Sequence, residues 1–230
     1  MTYLGLDACK AGWVVAVVSD ERWIDAFVAT DIAAAETRGI DEFAAACMVV
    51  DIPIGIPDTG TRLADTLARR FIKPRGSSVF PTPVRAALLA DTYADAREAS
   101  VAASGKSLSA QAYAIRERIL DADGYAGRAR IPLVEGHPEV SFRAMAGSGI
   151  PHAKKTFAGM TLRHQLLQAE GIDVPMELEG RLGGASADDL LDAAAMAWTA
   201  RRVARGDADR FPPLHLAERF SDDVDSAIWF

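Results

Sequence analysis

The sequence predicts an α/β fold: a mixed five-stranded sheet flanked by helices, with a helical insertion between strands four and five. Three observations carry this. Three β-rich runs follow one another closely at the start. The run Met48 to Pro57 then reads as a fully buried strand opening into a proline- and glycine-containing loop, and from about 58 to 127 the pattern turns helical before a short apolar strand returns. With 230 residues, 50% of them hydrophobic, the chain fits a single domain with a sizeable core.

The elements follow in order. Tyr3 to Asp7 and Trp13 to Val18 are short strands joined by the hairpin Cys9-Lys10-Ala11-Gly12, and Trp23 to Val28 completes a meander. Ile32 to Ala46 is alanine-rich and helix-compatible, leading into the strand that carries Asp51. Within the insertion, Leu63, Leu67 and Phe71 recur at helical spacing, and the helix stops before Pro74. Thr82-Pro83 has the form of an N-cap with proline in the first turn, opening a helix over Val84 to Ala90. Further helices are expected over Asp91 to Ala103 and over Ser109 to Asp121, the latter with Ile115 and Ile119 as its buried line. The fifth strand, Ile131 to Glu135, precedes a short helix from His137-Pro138 to Met145. A helix from about Thr161 to Glu170 ends at Gly171, and the last one runs from Ser186 to about Arg205 with Gly206 after it.

A net charge of -7 argues against a protein that coats nucleic acid through a broad basic surface. Positive charge is nevertheless clustered at Arg62, Arg69, Arg70, Lys73, Arg75 and Arg85, with Asp65 the only acid among them. No apolar run approaches the roughly 18 residues that span a membrane, and no basic segment precedes an apolar stretch at the amino terminus. Cys9 and Cys47 lack metal-ligand spacing and read as reduced, buried thiols, so a cytoplasmic location is expected.

Asp51 is the first candidate for chemistry, because a carboxylate in a buried strand costs several kcal/mol unless it is paired or metal-bound. The last helix opens Ser186-Ala187-Asp188-Asp189-Leu190-Leu191-Asp192. Capping and the helix dipole account for Asp188 and Asp189, but Asp192 lies beyond the first turn, where the dipole fades. At 100° per residue, Asp189 leads an apolar stripe through Ala193, Met196, Ala200 and Val203, with Asp192 on its border and Asp188 pointing away. Asp7, near the end of strand one, is either a turn-forming residue or a third member of the set. Together Asp7, Asp51, Asp189 and Asp192 offer hard oxygen donors suited to Mg²⁺ or Mn²⁺.

This order of acids resembles the RNase H-like superfamily, in particular its Holliday-junction-resolvase-like branch with Asp-x-x-Asp on the terminal helix. More closely, Gly5-Leu-Asp-Ala-Cys-Lys-Ala-Gly-Trp13, Asp51-Ile-Pro-Ile-Gly55, Arg75-Gly-Ser-Ser-Val-Phe-Pro81, Glu135-Gly-His-Pro-Glu-Val-Ser-Phe142 and Asp188-Asp-Leu-Leu-Asp192 resemble the predicted RNase H-like nucleases called domain of unknown function 429. The resemblance implies an RNase H-like fold and hydrolysis of DNA or RNA with two divalent ions, one activating water and the other stabilising the leaving 3′ oxygen. Asp7 would bridge the ions, Asp51 and Asp192 would be further ligands, and Asp189 a fourth or outer acid.

Glu135, at the end of strand five, is either another ligand or proton shuttle or simply a strand-end acid. His137 is an N-cap, a packed histidine or a substrate contact. Arg75 and Arg85, beside the loop Ser77 to Pro83 that carries Ser78, are the best candidates for gripping phosphate, with Lys10 and the pair Lys154-Lys155 below them. Arg69, Arg70 and Lys73 also suit the end of a helix, where cations are favoured. Two other functions remain open. Sugar kinases and actin-like ATPases share the β-β-β-α-β core, but they duplicate it and this chain has length for one copy. A non-catalytic nucleic-acid-binding protein of the same fold is the other.

Overall fold

The computed structural model describes residues 1–177 and 182–230. In chain order the elements are β1 (Thr2–Cys9), β2 (Gly12–Ser19), β3 (Trp23–Ala29), α1 (Ile32–Phe43), β4 (Ala45–Val50), α2 (Leu63–Phe71), α3 (Arg85–Leu88), α4 (Tyr93–Ser104), α5 (Ala110–Ala114), α6 (Arg116–Ala126), β5 (Leu133–Gly136), α7 (Pro138–Ala146), α8 (Phe157–Ala169) and α9 (Ala187–Arg205). The tail adds the two-residue strands β6 (Arg210–Phe211), β7 (Glu218–Arg219), β8 (Asp225–Ser226) and β9 (Ile228–Trp229). Residues 1–51, 129–209 and 229–230 form one compact unit, and 52–128 with 210–228 form a second. The segment expected as a helical insertion, about 58–127, lies in the second unit.

The sheet is mixed. β1 pairs antiparallel with β2, β2 antiparallel with β3, β1 parallel with β4, and β4 parallel with β5. It has seven strands rather than five, in the order β3-β2-β1-β4-β5-β9-β6, while β7 and β8 form a separate pair. The strands missed in the sequence are two residues long, too short for any alternation to register.

In the first unit, α9 covers one face of the sheet and α1 the other. Gly5 is what lets α9 approach: a Cβ there would lie 2.0 Å from both the Ala193 carbonyl oxygen and the Ala197 amide nitrogen. On the opposite face, a Cβ on Gly39 of α1 would meet Leu4 Cδ1 at 2.2 Å. α9 is buried from Leu190 to Arg201, with α7 and α8 packed on it as well. Its alanines keep the helix thin enough for this, and Ser141 on α7 is within 2.8 Å of Thr199 on α9, hydroxyl to hydroxyl. Among the described residues no helix is long and apolar enough to cross a membrane. Cys9 and Cys47 are buried and unbridged, and burial pushes the Cys47 thiol up to about 12.

Several boundaries differ from expectation for local reasons. α1 stops at Phe43 because Ala44 turns left-handed, at φ 52°, and Ala45 already belongs to β4. Thr82 caps nothing: its N–H and hydroxyl donate to the Asp65 carboxylate, and α3 starts at Arg85 behind Val84. Val79, Thr82, Pro83 and Val84 are buried, so the proline loop is packed into the second unit. The helix expected over Ser109 to Asp121 is two, broken at Ile115, and Ile119 alone of the two isoleucines is fully buried. α8 begins earlier, at Phe157, capped by Thr156.

Candidate functional site

The first unit gathers three carboxylates on one face of the sheet. β1 and β4 run parallel with Leu6 opposite Val50, and the Asp51 amide donates to the Leu6 carbonyl at 2.9 Å, which sets Asp7 and Asp51 side by side. Strand alternation puts Asp7 on the same face as Gly5, the face that meets α9. Val49 lies beside Gly136, whose missing Cβ would also meet Met196 of α9, so Asp51, two residues on, shares that face. Asp192 reaches it from α9, one turn before Met196, and is 2% exposed.

A lysine stands among these acids. The Lys154 ammonium, from the segment between α7 and α8, donates to Asp192 Oδ2 at 2.5 Å and lies 3.9 Å from Asp188 Oδ2. Burial works against its charge, but Asp192, and after it Asp7 and Asp51, raise its pKa above the ordinary lysine value. The acids respond in kind. Burial first, then the charges of Asp51 and Asp192, hold Asp7 well above the usual carboxylate range. Burial likewise pushes Asp51 and Asp192 up to about 7, despite the opposing pull of Lys154.

The other acids expected at the site divide. Asp189 is close enough to raise Asp7, but its carboxylate accepts the Ser186 amide at 2.9 Å while Ser186 Oγ caps the Asp189 amide, a complete capping box. Asp188 does not point away: it accepts from Ser186 Oγ at 2.6 Å and borders Lys154. Glu135 sits opposite Val50 in the parallel pair and is 5% exposed. Because Gly136 faces α9, alternation turns Glu135 to the opposite face, apart from the three aspartates.

Glu139 is an acid that the sequence reading passed over. It lies in the first turn of α7, its charge bears on both Asp51 and Asp192, and it is held by Arg163 of α8 at 2.6 Å. Both partners are buried. Its position after Pro138 was visible in the sequence, but only the fold brings Arg163, 24 residues later, against it.

The expected phosphate-gripping residues are spread more widely. Lys10 is exposed in the β1–β2 turn. His137 occupies the N-cap position of α7, where its carbonyl, not its ring, takes the Val140 and Ser141 amides. Arg75, Ser78 and Arg85 belong to the second unit. Arg75 and Ser78 flank a short turn in which the Ser78 amide donates to the Arg75 carbonyl at 2.9 Å. Arg85 is an internal tie: it pairs with Asp222 and with Asp123, and donates to the Ile56 carbonyl.

Comparison with curated proteins and with solved structures gave no match. Residues 5–215, which include all three clustered aspartates, match the profile of the family described as protein of unknown function (DUF429), and the chain belongs to that family.

Proposed function

We propose that this protein is a nuclease of RNase H-like fold, in which Asp7, Asp51 and Asp192 hold Mg²⁺ or Mn²⁺ for the hydrolysis of phosphodiester bonds in DNA or RNA. One observation carries the reading: three carboxylates from β1, the end of β4 and α9 meet on one face of the sheet with a single ammonium to balance them. Like charges out of water are costly unless a cation answers them. The element order β-β-β-α-β, with acids at strands one and four and on the last helix, supports the RNase H-like assignment.

The donor set fits a divalent ion in its chemistry. All three side chains offer hard oxygen, and when all are ionised they exceed the one ammonium by two negative charges. Among the described residues no three such side chains stand at metal-holding distance as arranged. Lys154 is positioned to explain this, since its ammonium and a metal ion compete for the same oxygens. When bound, such ions activate water and stabilise the leaving oxygen of an in-line displacement. The chain's own part is to hold Asp7 and Asp51 in register through the parallel pairing, and to hold Asp192 on the buried stretch of α9. Glu139, anchored by Arg163, adds negative field behind them.

The test is cleavage of single-stranded, duplex and branched DNA and RNA by the purified protein with Mn²⁺ or Mg²⁺. The expected result is cleavage that EDTA or Asp51→Asn abolishes. Failure on every substrate, or equal cleavage by Asp51→Asn, overturns the reading.

A further inference from the structure

The second unit holds a cavity of about 530 Å³, lined by one side of α2 with Thr61 before it, the turn that follows it, Pro81, and Lys106 after α4. Four cations face it: Arg69, Arg70, Lys73 and Lys106. Among the described residues none of them has a carboxylate at ion-pair distance. The one acid in the lining, Asp65, is already spent, taking Arg62 at 2.6 Å through Oδ1 and the Thr82 amide at 2.7 Å through Oδ2.

Helix ends account for part of this charge. Arg69 and Arg70 lie in the last turn of α2, where positive charge is favoured. Lys73 follows the C-cap of α2 and Lys106 follows the C-cap of α4, so two separate helix ends bring their cations to one concavity. The turn is also built to close the cavity: a Cβ on Gly76 would lie 2.8 Å from the Arg69 carbonyl oxygen, so glycine lets the chain bring Ser77 onto the wall. Four like charges in one concavity repel one another until an anion enters, and a concave wall focuses their field.

The lining also says which anion. Its volume falls in the range of small-molecule sites, more than one phosphate needs. It contains no aromatic ring on which a base could stack. Guanidinium forks and ammonium groups match phosphoryl oxygens. We propose that this cavity is a binding site for adjacent phosphoryl groups, recognised through their charge and oxygens and not through a base, and independent of the carboxylate cluster. Two sources offer this chemistry: a free polyphosphate, or the backbone of a nucleic-acid strand.

The experiment is calorimetric titration of the full chain with pyrophosphate, in EDTA at low salt so that no metal at the aspartates contributes. A parallel titration uses a single-stranded oligonucleotide without terminal phosphates. Lys73 and Lys106 are exposed, so Lys73→Gln/Lys106→Gln leaves the core intact, which its melting temperature verifies. The wild type is expected to bind pyrophosphate and the double variant to bind it roughly tenfold more weakly. An oligonucleotide that displaces pyrophosphate identifies the strand as the source, and one that does not identifies free polyphosphate. No binding by the wild type, or equal binding by the folded double variant, overturns the proposal. Because no metal or cleavage enters the assay, its failure leaves the nuclease reading standing, and the converse holds.

Discussion

Asp51→Asn removes one of the three clustered charges while leaving the pair between Lys154 and Asp192 in place. Burial raises the Asp51 carboxyl from an ordinary 3.8 to about 7. A carboxyl raised in this way keeps its proton in the fold at a pH where the unfolded chain has released it. Its stabilising share is therefore complete below about pH 4 and is lost as pH climbs through about 7. A gap of about three units, at about 1.4 kcal/mol each, sets a ceiling of about 4 kcal/mol. Asp51 is partly exposed, and solvent screening brings the figure nearer about 2 kcal/mol. For a chain of this size each kcal/mol moves the midpoint by about 2–4 °C. In EDTA at about pH 8 the variant should therefore melt roughly 4–8 °C above the wild type, and the difference should narrow steadily on acidification. Mn²⁺ should then reverse the order, because a ligand at a hundred times its Kd adds about 2.7 kcal/mol to a protein that binds it and the variant has lost a ligand. Calorimetry across the pH range, with and without Mn²⁺, reads all of this. A variant that melts at or below the wild type at high pH, or a difference that widens on acidification, refutes the argument from crowded charge.

Two other perturbations probe the same face. Lys154→Gln leaves Asp192 without its ammonium, so the metal-free protein should lose about 2–3 kcal/mol near neutral pH; Mn²⁺ affinity, measured by titration, should rise because a competitor is gone, and weaker Mn²⁺ binding would sink the idea that the two cations share oxygens. Gly5→Ala forces a methyl group against the α9 backbone, 2.0 Å from two of its atoms, and should cost about 3 kcal/mol or more in urea unfolding.

How much of this was legible in the sequence depends on how far apart the interacting residues lie. Alternation within β1 and the apolar run of β4 identified those strands and the face of Asp7, because the signal is contained in a few neighbouring residues. Asp192 stood out by the same local logic, being too far into α9 to serve its dipole. What failed was partner choice over distance. Thr82-Pro83 has the local form of a cap, yet Asp65, 17 residues upstream, takes the Thr82 donors. Lys154 read as one of a pair of loop lysines, and only the fold reveals that it is spent on Asp192, 38 residues away. Arg85 read as a free phosphate ligand because its partners Asp123 and Asp222 lie 38 and 137 residues further on. The structure divides the Arg62 to Arg85 cluster into members tied to carboxylates, Arg62 and Arg85, and the cavity cations Arg69, Arg70 and Lys73, of which Arg69 donates to the Val79 carbonyl.

That division bears on the aspartates too, because this chain elsewhere satisfies the acids it buries. Glu36 takes the Arg130 side chain and the amides of Arg130 and Ile131. Asp65 has Arg62 and Thr82, Glu139 has Arg163, and Asp123 takes the Gly55 amide and Arg85. Each of these acids holds an element in place and has a cation of its own or shares one with a bonded backbone amide. The group on the α9 face is different: Asp7 takes only the Ala8 amide, Asp192 takes Lys154, and Asp51 accepts no side-chain hydrogen bond among the described residues. A structural role would be served by one acid and one lysine there, or by none. Adding Asp7 and Asp51 makes the cluster harder to fold without a cation, and that cost is what the proposed metal site would offset.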